Sequence, residues 1–415
     1  MFDTAVHAVT AERTMPARIP VARHGRTIVL AIGKAAGDMM RVAQARAAQP
    51  LPGLVVTRYG HMPEGLRWRD VEVIEAGHPY PDENSVRAAD HALELAHALE
   101  AGDQLLVLLS GGGSALLTAP APGVTLADKA ATTRVLLRSG ATIEEINCVR
   151  KHLSRVKGGR LAVAAGRAAV TTWIISDVPG DDPSFVSSGP TVADPTTLAD
   201  ARDILRRYHV AAPAAVLAAL SDEANETPTG DTLGLAGAET RVIARARDAL
   251  DAARAQAEAD GFLVTDLGDN LQAEARHLGA SHAALTARLA RDGRPRVILS
   301  GGETTVTVTN PHGRGGRNME YALGLAIALG GMGGVHAIAC DTDGIDGTED
   351  AAGAVVTPST LARARAAGLD PQQHLRENNA YLFFQALGDL VVTGPTHTNV
   401  NDFRAILIGG GDAQG

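Results

Sequence analysis

The sequence predicts a protein of the α/β class that is built from two domains. Eight short runs of β-branched residues or leucine alternate with alanine-rich amphipathic segments, a pattern typical of parallel or mixed sheets covered by helices on both faces. The 415 residues are enough for two buried cores, and 45% hydrophobic against 20% charged residues is ordinary for a globular protein. The runs are TIVLAIG, GLVVT, VEVIEAG, QLLVLLSGG, TTWIISDV, GFLVTDLG, RVILSGG and VHAIACDTDG.

Net charge and cysteine content restrict the partners and the compartment. A net charge of -9 argues against nucleic acid or an anionic membrane as the main partner, but it allows a local basic pocket for a small anion. Cys148 and Cys340 are too few for a disulfide framework and lack metal-ligand spacing, so they are predicted to be core residues of a cytoplasmic protein. The first twenty residues contain no continuous apolar segment of the kind found in signal peptides.

Two longer stretches predict a buried segment and a domain boundary. The uncharged run from Tyr321 to Cys340 is interrupted by GGMGG, which favours a buried helix, a turn and a strand over a membrane span. The stretch from Ser221 to Thr240 is polar and rich in turn formers, so we predict a domain over residues 1–235 and a second over 236–415. Each half contains a strand that ends in Ser-Gly-Gly, VLLSGGGSA at 107–115 and VILSGGETT at 297–305.

The common nucleotide and calcium motifs are absent from this sequence. AIGKAAGDMM lacks the second glycine of a dinucleotide fingerprint, and LLSGGGSALL has Leu116 where the third glycine should be. In a Walker A loop, Gly33-Lys34 would be followed by Ser or Thr, but Ala35 stands there. DTDGIDGTEDAA has isoleucine and alanine at positions where an EF-hand loop needs oxygen ligands.

Two strand-end loops have the composition of anion-binding sites. At Gly33-Lys34 a strand leads directly into a helix, so free amides and the lysine ammonium would point at one place, suiting a phosphoryl group or a carboxylate. The glycine loop, residues 110–114, offers backbone amides and the hydroxyls of Ser110 and Ser114 to a phosphate chain. The structural alternatives are an exposed lysine at the start of a helix and a tight βα turn.

A basic segment and two acidic loops complete the set of candidates. TIEEINCVRKHLSRVKGGRLA opens with a capping box from Thr142 to Glu145, which predicts a helix, and most of its charges are expected to face solvent. The break at Lys157-Gly158-Gly159-Arg160 ends that helix beside two cations. The loops SDVPGDDPSFVSSGPT and DTDGIDGTEDAAG follow strands, and their carboxylates could contact Mg²⁺ directly or through water, although aspartate is also a common turn residue.

Nearly end to end, these segments resemble the MOFRL-type glycerate 2-kinases, whose members are sometimes labelled hydroxypyruvate reductases. The matching motifs are AIGKA, LLSGGGSALL, NCVRKHLSRVKGGRLA, SDVPGDDPSFVSSGPT, SGGETTVTV, GRGGRNME, DTDGIDG and GPTHTNVND. The resemblance implies an N-terminal Rossmann-like α/β/α domain, a C-terminal mixed-sheet α/β domain of the MOFRL type and an active site in the cleft between them. His397 stands in GPTHTNV where the family pattern has glycine.

The resemblance also implies ATP-dependent phosphorylation of D-glycerate at its 2-hydroxyl, with ATP and Mg²⁺ required. The family's cleft lysine and arginine correspond to Lys34 and Arg317. The residues expected to bind the nucleotide are Ser110, Gly111, Gly112, Gly113, Ser114, Lys157, Gly301, Gly302 and Glu303, and those expected at the metal are Asp177, Asp181 and Asp343. D-glycerate and ATP are the expected partners, without nucleic acid or membrane, and a homodimer is compatible with the sequence.

Within GRGGR, the glycines Gly313, Gly315 and Gly316 are expected to turn the backbone around a small anion at the start of a helix. Arg317 would then contact the glycerate carboxylate or the transferring phosphoryl group, and Arg314 is expected to face solvent. The sequence disfavours two other functions: the incomplete dinucleotide fingerprint argues against a nicotinamide-dependent hydroxypyruvate reductase, and acidic loops suited to Mg²⁺ argue against an anion-binding regulatory module.

Overall fold

The computed structural model describes residues 1–409, and its strands form two six-stranded sheets. The strands are β1 Thr27–Ile32, β2 Gly53–Arg58, β3 Val71–Ala76, β4 Gln104–Leu109, β5 Ala169–Ile175, β6 Glu239–Ala244, β7 Leu263–Asp266, β8 Arg296–Gly302, β9 Val335–Asp341, β10 Gly353–Val356, β11 Leu390–Val391 and β12 Asp402–Ile408. All eight apolar runs of the sequence form strands, whereas β6 and β10 to β12 were not among them. The predicted α/β class is confirmed.

Helices separate most of the strands, as the alternating pattern predicts. They are α1 Phe2–Ala8, α2 Ala11–Thr14, α3 Ala36–Arg46, α4 Glu83–His97, α5 Gly113–Leu116, α6 Leu126–Ser139, α7 Ile143–His152, α8 Arg160–Ala164, α9 Leu198–Arg207, α10 Ala214–Ser221, α11 Ala246–Ala259, α12 Ala275–Leu289, α13 Arg317–Leu329, α14 Thr360–Ala366, α15 Pro371–Arg376 and α16 Ala380–Leu387. The capping box predicted at Thr142 starts α7, and the apolar run after GRGGR is α13, followed by a turn and β9. No helix within residues 1–409 is both long and apolar enough to cross a membrane.

Contacts divide the chain into two compact units, Thr14–Ile243 and a second that joins Met1–Arg13 to the chain from Ala244 onward. The N-terminal helix belongs to the second unit because α1 packs on α11, and the ring of Phe2 lies 5.8 Å from that of Phe403. The first unit extends beyond the predicted boundary at residues 235/236, since β6 is the sixth strand of its sheet. That boundary stays a prediction.

In the unit of residues 14–243 the strand order is β3-β2-β1-β4-β5-β6. The pairs from β3 through β5 are parallel, with Val29 opposite Gly53 and Ile32 opposite Leu109. From β1 the chain builds outward to β2 and β3, then returns to place β4 on the other side of β1. The carboxyl ends of β1 and β4 therefore flank the point where the strand order reverses, which is where open α/β sheets form ligand crevices.

In the second unit the order is β11-β10-β9-β12-β8-β7. The pair β7–β8 is parallel, while β12 runs antiparallel to both β8 and β9. Asp402, the first residue of β12, consequently pairs with Gly302 at the end of β8 and with Asp341 at the end of β9. The acidic loop after β9 and the Ser-Gly-Gly end of β8 thus meet at one edge of this sheet.

Candidate functional site

The turn after β1 is built against the glycine loop. Gly33 has a φ of 122°, and a β-carbon there would lie 2.3 Å from Oγ of Ser110, so only glycine fits. The backbone N–H of Lys34 donates to the carbonyl of Gly111 at 2.9 Å, and that of Ala35 donates to Oγ of Ser110 at 2.9 Å. Ser110 is fully buried. Because its hydroxyl accepts from the turn after β1, it holds the two loops together.

Lys34 lies beside the glycine loop in the structure. A β-carbon placed on Gly112 would lie 3.5 Å from Cγ of Lys34 and 3.1 Å from Cδ2 of His78. The lysine side chain is half-buried, and the neighbouring Gly113 packs against the hydroxyl of Ser187. Lys34 and the backbone of residues 111–113, which sequence reasoning assigned to one site, are therefore adjacent at the reversal of the strand order.

Lys157 supports the glycine loop from the protein interior. Its Nζ donates to the carbonyls of Ser114 at 2.9 Å and Leu117 at 3.1 Å, and the residue is only 1% exposed. Burial, with a smaller contribution from nearby cations such as Lys129, holds the pKa of Lys157 well below its ordinary value. The structure therefore places this predicted nucleotide ligand behind the loop, where it orients backbone carbonyls.

A strained segment that sequence reasoning did not identify also contacts the glycine loop. Ser187, Ser188 and Gly189 have consecutive φ values of 53°, 62° and 56°. Oγ of Ser187 donates to the carbonyl of Ser110 at 3.2 Å, and the hydroxyls of Ser188 and Ser114 are 2.8 Å apart. Left-handed serines cost about 1–3 kcal/mol each, so packing against the loop must hold them in place. The only sequence signal was the small-residue string SSGP in the acidic loop.

Asp177 and Asp181 lie in that same acidic loop, which follows β5. Both are half-buried, and the backbone N–H of Asp181 donates to the carbonyl of Val178 at 3.0 Å. Asp343, the third carboxylate predicted at the metal, belongs to the second unit, is 2% exposed and accepts a hydrogen bond from the backbone N–H of Ile345 at 2.8 Å. Within residues 1–409, no group of three or more His, Cys, Asp or Glu side chains is arranged to hold a metal ion.

In the second unit, Arg317 begins α13 and is surrounded by carboxylates. Its Nε donates to Asp402 at 2.7 Å, its Nη1 to Glu303 at 2.8 Å and its Nη2 to Asp341 at 3.0 Å. Burial by itself would lower the pKa of this guanidinium, but the three carboxylates hold the pKa well above its ordinary value. The arginine predicted to bind an anion therefore carries three protein anions in this structure.

The three carboxylates differ in exposure. The side chains of Asp402 and Asp341 are 0% and 6% exposed, whereas that of Glu303 is 46% exposed. Burial would raise the pKa of Asp402, but Arg317 and Arg404 together keep that pKa below its ordinary value. Glu303 is accordingly the partner that solvent or a ligand can replace most readily, because exposed ion pairs contribute least to stability.

Gly301 and Gly302, also predicted to bind the nucleotide, hold the end of β8 in place. The carbonyl of Gly301 accepts from Nη1 of Arg404 at 3.0 Å, and a β-carbon on Gly302 would lie 2.3 Å from the backbone of Leu271. Arg404 is 1% exposed and also bonds Asp402. These contacts fix Asp402 beside Arg317.

The amides at the start of α13 are occupied by a side chain of the protein. Asp346 is fully buried and accepts from the backbone N–H groups of Asn318 at 3.1 Å and Met319 at 2.8 Å. A β-carbon on Gly316 would lie 2.3 Å from the carboxylate of Asp346, so the glycine allows this close approach. Sequence reasoning expected these amides to attract a small anion. The anion they bind is Asp346, whose pKa burial raises to about 7 despite the two amides.

The remaining residues of this loop differ from expectation in detail. Arg314, expected to face solvent, is about half exposed, but it pairs with Glu349 and lies 4.4 Å over the ring of Tyr381. Gly313 packs against the carbonyls of Glu377 and Asn378, so the loop turns around backbone groups.

His397 lies in a different loop, GPTHTNV, at the position where the family pattern has glycine. It adopts a φ of 59°, in the left-handed region that favours glycine.

Comparisons with known proteins agree with this architecture. A family model described as a domain of unknown function, DUF4147, matches residues 1–221, and a model described as the MOFRL family matches residues 296–402. A protein of Agrobacterium vitis that carries the provisional name of hydroxypyruvate reductase is 50% identical over 99% of this chain and 93% of its own length. The D-glycerate 2-kinase of Thermotoga maritima is 40% identical over 97% of this chain and 96% of its own length.

The likeness extends to a solved structure. The crystal structure of glycerate kinase from Thermotoga maritima superposes with a TM-score of 0.86 at 40% identity, covering 98% of this chain and 97% of the other. Both sheets of the present chain therefore have counterparts in a protein of known structure.

Proposed function

The chain belongs to the family of glycerate kinases that carry a MOFRL domain, and from this membership we propose that it transfers the terminal phosphoryl group of ATP to the 2-hydroxyl of D-glycerate. The observation that carries the proposal is the relationship to a D-glycerate 2-kinase along 97% of the chain. The arrangement of Lys34 beside the glycine loop, at the carboxyl ends of β1 and β4, supports it.

Phosphoryl transfer depends mainly on positioning and on neutralising charge, which are tasks this chain's residues can perform. The backbone of residues 111–113 allows close approach of a phosphate chain, and the ammonium of Lys34 adds a positive charge beside it. Lys157 and the left-handed serines keep that backbone in place. Mg²⁺, when bound with the nucleotide, would neutralise phosphate oxygens.

Arg317 would bind the substrate by exchanging one carboxylate for another. The buried Asp402 and Asp341 hold two of its nitrogens, and the exposed Glu303 holds the third. A glycerate carboxylate or a phosphoryl oxygen that displaced Glu303 would keep the guanidinium fully paired, and the planar fork would orient the incoming group. Asp346 would set the direction of the arginine by fixing the first turn of α13.

A hydroxypyruvate reductase is the alternative that the name of the Agrobacterium vitis relative raises. Hydride transfer from a nicotinamide cofactor would use a Gly-x-Gly-x-x-Gly turn after the first strand. Gly33 follows β1, but Ala35 stands where the second glycine of that turn should be. The geometry therefore supports the kinase.

The first expected result is the identity of the product. Purified protein supplied with ATP, Mg²⁺ and D-glycerate should form 2-phosphoglycerate, with the phosphorylated carbon identified by ³¹P and ¹³C NMR. The same preparation should leave NADH and NADPH unchanged in the presence of hydroxypyruvate. Enzyme-like NADH consumption without ATP turnover on glycerate would show that the reductase assignment is the correct one.

A second expected result concerns the metal. Activity should require a divalent cation that arrives largely with the nucleotide, because Mg²⁺ is usually bound through one or two carboxylates, several waters and substrate phosphates. Asp177→Asn, Asp181→Asn and Asp343→Asn should be compared by titrating Mg²⁺ at saturating ATP and glycerate. At least one variant should need more Mg²⁺ for half-maximal rate. An unchanged titration curve in all three would remove these aspartates as ligands.

A further inference from the structure

One face of α6 borders a groove in the unit of residues 14–243. The groove has a volume of about 560 Å³, within the range of small-molecule pockets. Residues at helical spacing along α6 face it, and Pro79 to Pro81 and Ser114 form the other walls. The opposite face of α6 supplies buried residues such as Leu136 to the core. The groove-facing side of α6 is partly open to solvent, since Arg134, Leu137 and Arg138 are exposed.

Much of the groove wall is apolar and aromatic. Leu126, Ala130 and Leu137 follow one another along the open face of α6, and Leu137 is 62% exposed. Tyr80, across the groove, is 81% exposed. A flat aromatic ligand can pack between an aliphatic surface and a tyrosine ring, because aromatic and apolar contacts tolerate many heterocycles.

The same groove carries an excess of positive charge. Lys129, Arg134, Arg138 and Arg150 line it, and no lining residue is acidic. Among residues 1–409, no carboxylate pairs with the three arginines. Lys129 donates from Nζ to the carbonyl of Leu153 at 3.1 Å, and burial, followed by repulsion from Arg150, lowers its pKa to about 7. Cations kept together without counter-charges favour an anionic ligand.

The groove is continuous with the glycine loop. Ser114 belongs both to the groove wall and to the glycine loop, and its hydroxyl lies 2.8 Å from that of Ser188. Tyr80 follows His78 by two residues, and the His78 ring lies against Gly112, beside Lys34. A ligand in the groove would thus lie next to the loop to which the phosphate chain is assigned.

We propose that the groove along α6 binds the nucleoside part of the phosphoryl donor, with the base between Tyr80 and Leu137 and the phosphate chain passing Arg150 toward the glycine loop. A nucleoside triphosphate combines the flat apolar group and the clustered negative charge that the two halves of the groove match. This inference rests on the proposed kinase function, since it locates the donor of that reaction.

Calorimetric titration of the full chain with ATP, and separately with inorganic tripolyphosphate, distinguishes binding of the nucleoside from binding of the phosphate chain. The double variant Tyr80→Ala, Leu137→Asn should raise the Kd for ATP at least about tenfold, equivalent to about 1.4 kcal/mol, and leave that for tripolyphosphate unchanged. Arg150→Ala should weaken both ligands by a similar factor. Leu217→Asn, at an exposed leucine on α10 outside the groove, is the matched control and should bind both like the parent.

Steady-state kinetics then tests whether the bound nucleotide is the donor. In the double variant the KM for ATP should rise in parallel with Kd, whereas the KM for D-glycerate should stay within about twofold of the parent, since the changed side chains contact only one substrate. A raised Kd with an unchanged KM for ATP would mean a second nucleotide site and would overturn the inference.

Failure of the inference and failure of the proposed function give different results. If the parent phosphorylates glycerate and the double variant keeps its Kd and KM for ATP, the groove is not the donor site and the kinase function stands. If the double variant and Arg150→Ala both weaken ATP and tripolyphosphate equally while Leu217→Asn binds like the parent, the groove binds phosphate without the base, and the inference is overturned. If the parent neither binds ATP nor phosphorylates glycerate, the proposed function itself is wrong, and the inference falls with it.

Discussion

Replacing Lys34 with alanine should lower kcat by roughly 10² or more, because a preorganised charge that faces the transferring phosphoryl group contributes most in the transition state. The lysine follows β1 at the reversal of strand order and lies beside the glycine loop. Initial rates at saturating ATP and D-glycerate would measure the effect. Folding should be retained, since the loop itself is fixed by backbone bonds of residues 34 and 35.

Lys34→Met is the informative companion, because it keeps the length of the side chain and removes only the charge. It should lose nearly as much kcat as the alanine variant, while Arg206→Ala, at an exposed ion pair on α9, should behave as the parent does. Thermal midpoints close to that of the parent would show that the folds are intact. A Lys34 variant with near-normal kcat would place the ammonium in solvent, away from the reaction.

Replacing Arg317 with lysine should lower kcat/KM at least roughly tenfold, equivalent to about 1.4 kcal/mol. The variant keeps the charge, but one ammonium cannot reproduce the planar fork that holds Asp402, Asp341 and Glu303 in three directions. The loss should appear with D-glycerate as the varied substrate. Some loss of stability is also expected, because two of the three carboxylates are buried.

Arg314→Lys is the matched control on the same loop. Arg314 also bonds a carboxylate through two nitrogens, but that carboxylate belongs to the single residue Glu349, and the half-exposed guanidinium lies over the ring of Tyr381. Its replacement should affect kcat/KM much less, although it also removes the bonds of a guanidinium to a carboxylate. If both variants turn over glycerate like the parent, the guanidinium of Arg317 has only a structural role.

Much of the local structure could be predicted from the sequence. The eight apolar runs are strands, the capping box at Thr142 starts α7, and Arg317 begins α13 directly after the glycines. These features depend on hydrophobic periodicity and on turn or capping residues within a few positions of one another, so a single stretch of sequence contains the information. The strands that were missed, β6 and β10 to β12, complete the two sheets, and their positions depend on pairing with distant segments.

The sequence by itself determined which loops follow the strands and which cations and carboxylates stand in them. Only the tertiary structure decided what those groups contact: Asp402 reaches Arg317 because β12 runs antiparallel between β8 and β9, Lys157 turns inward to backbone carbonyls, and Asp346 occupies the amides of α13. Each contact joins segments far apart in the chain, and its geometry is set by sheet register and packing. Local residue patterns do not specify that register, because the pairing free energy arises only when the distant strands meet.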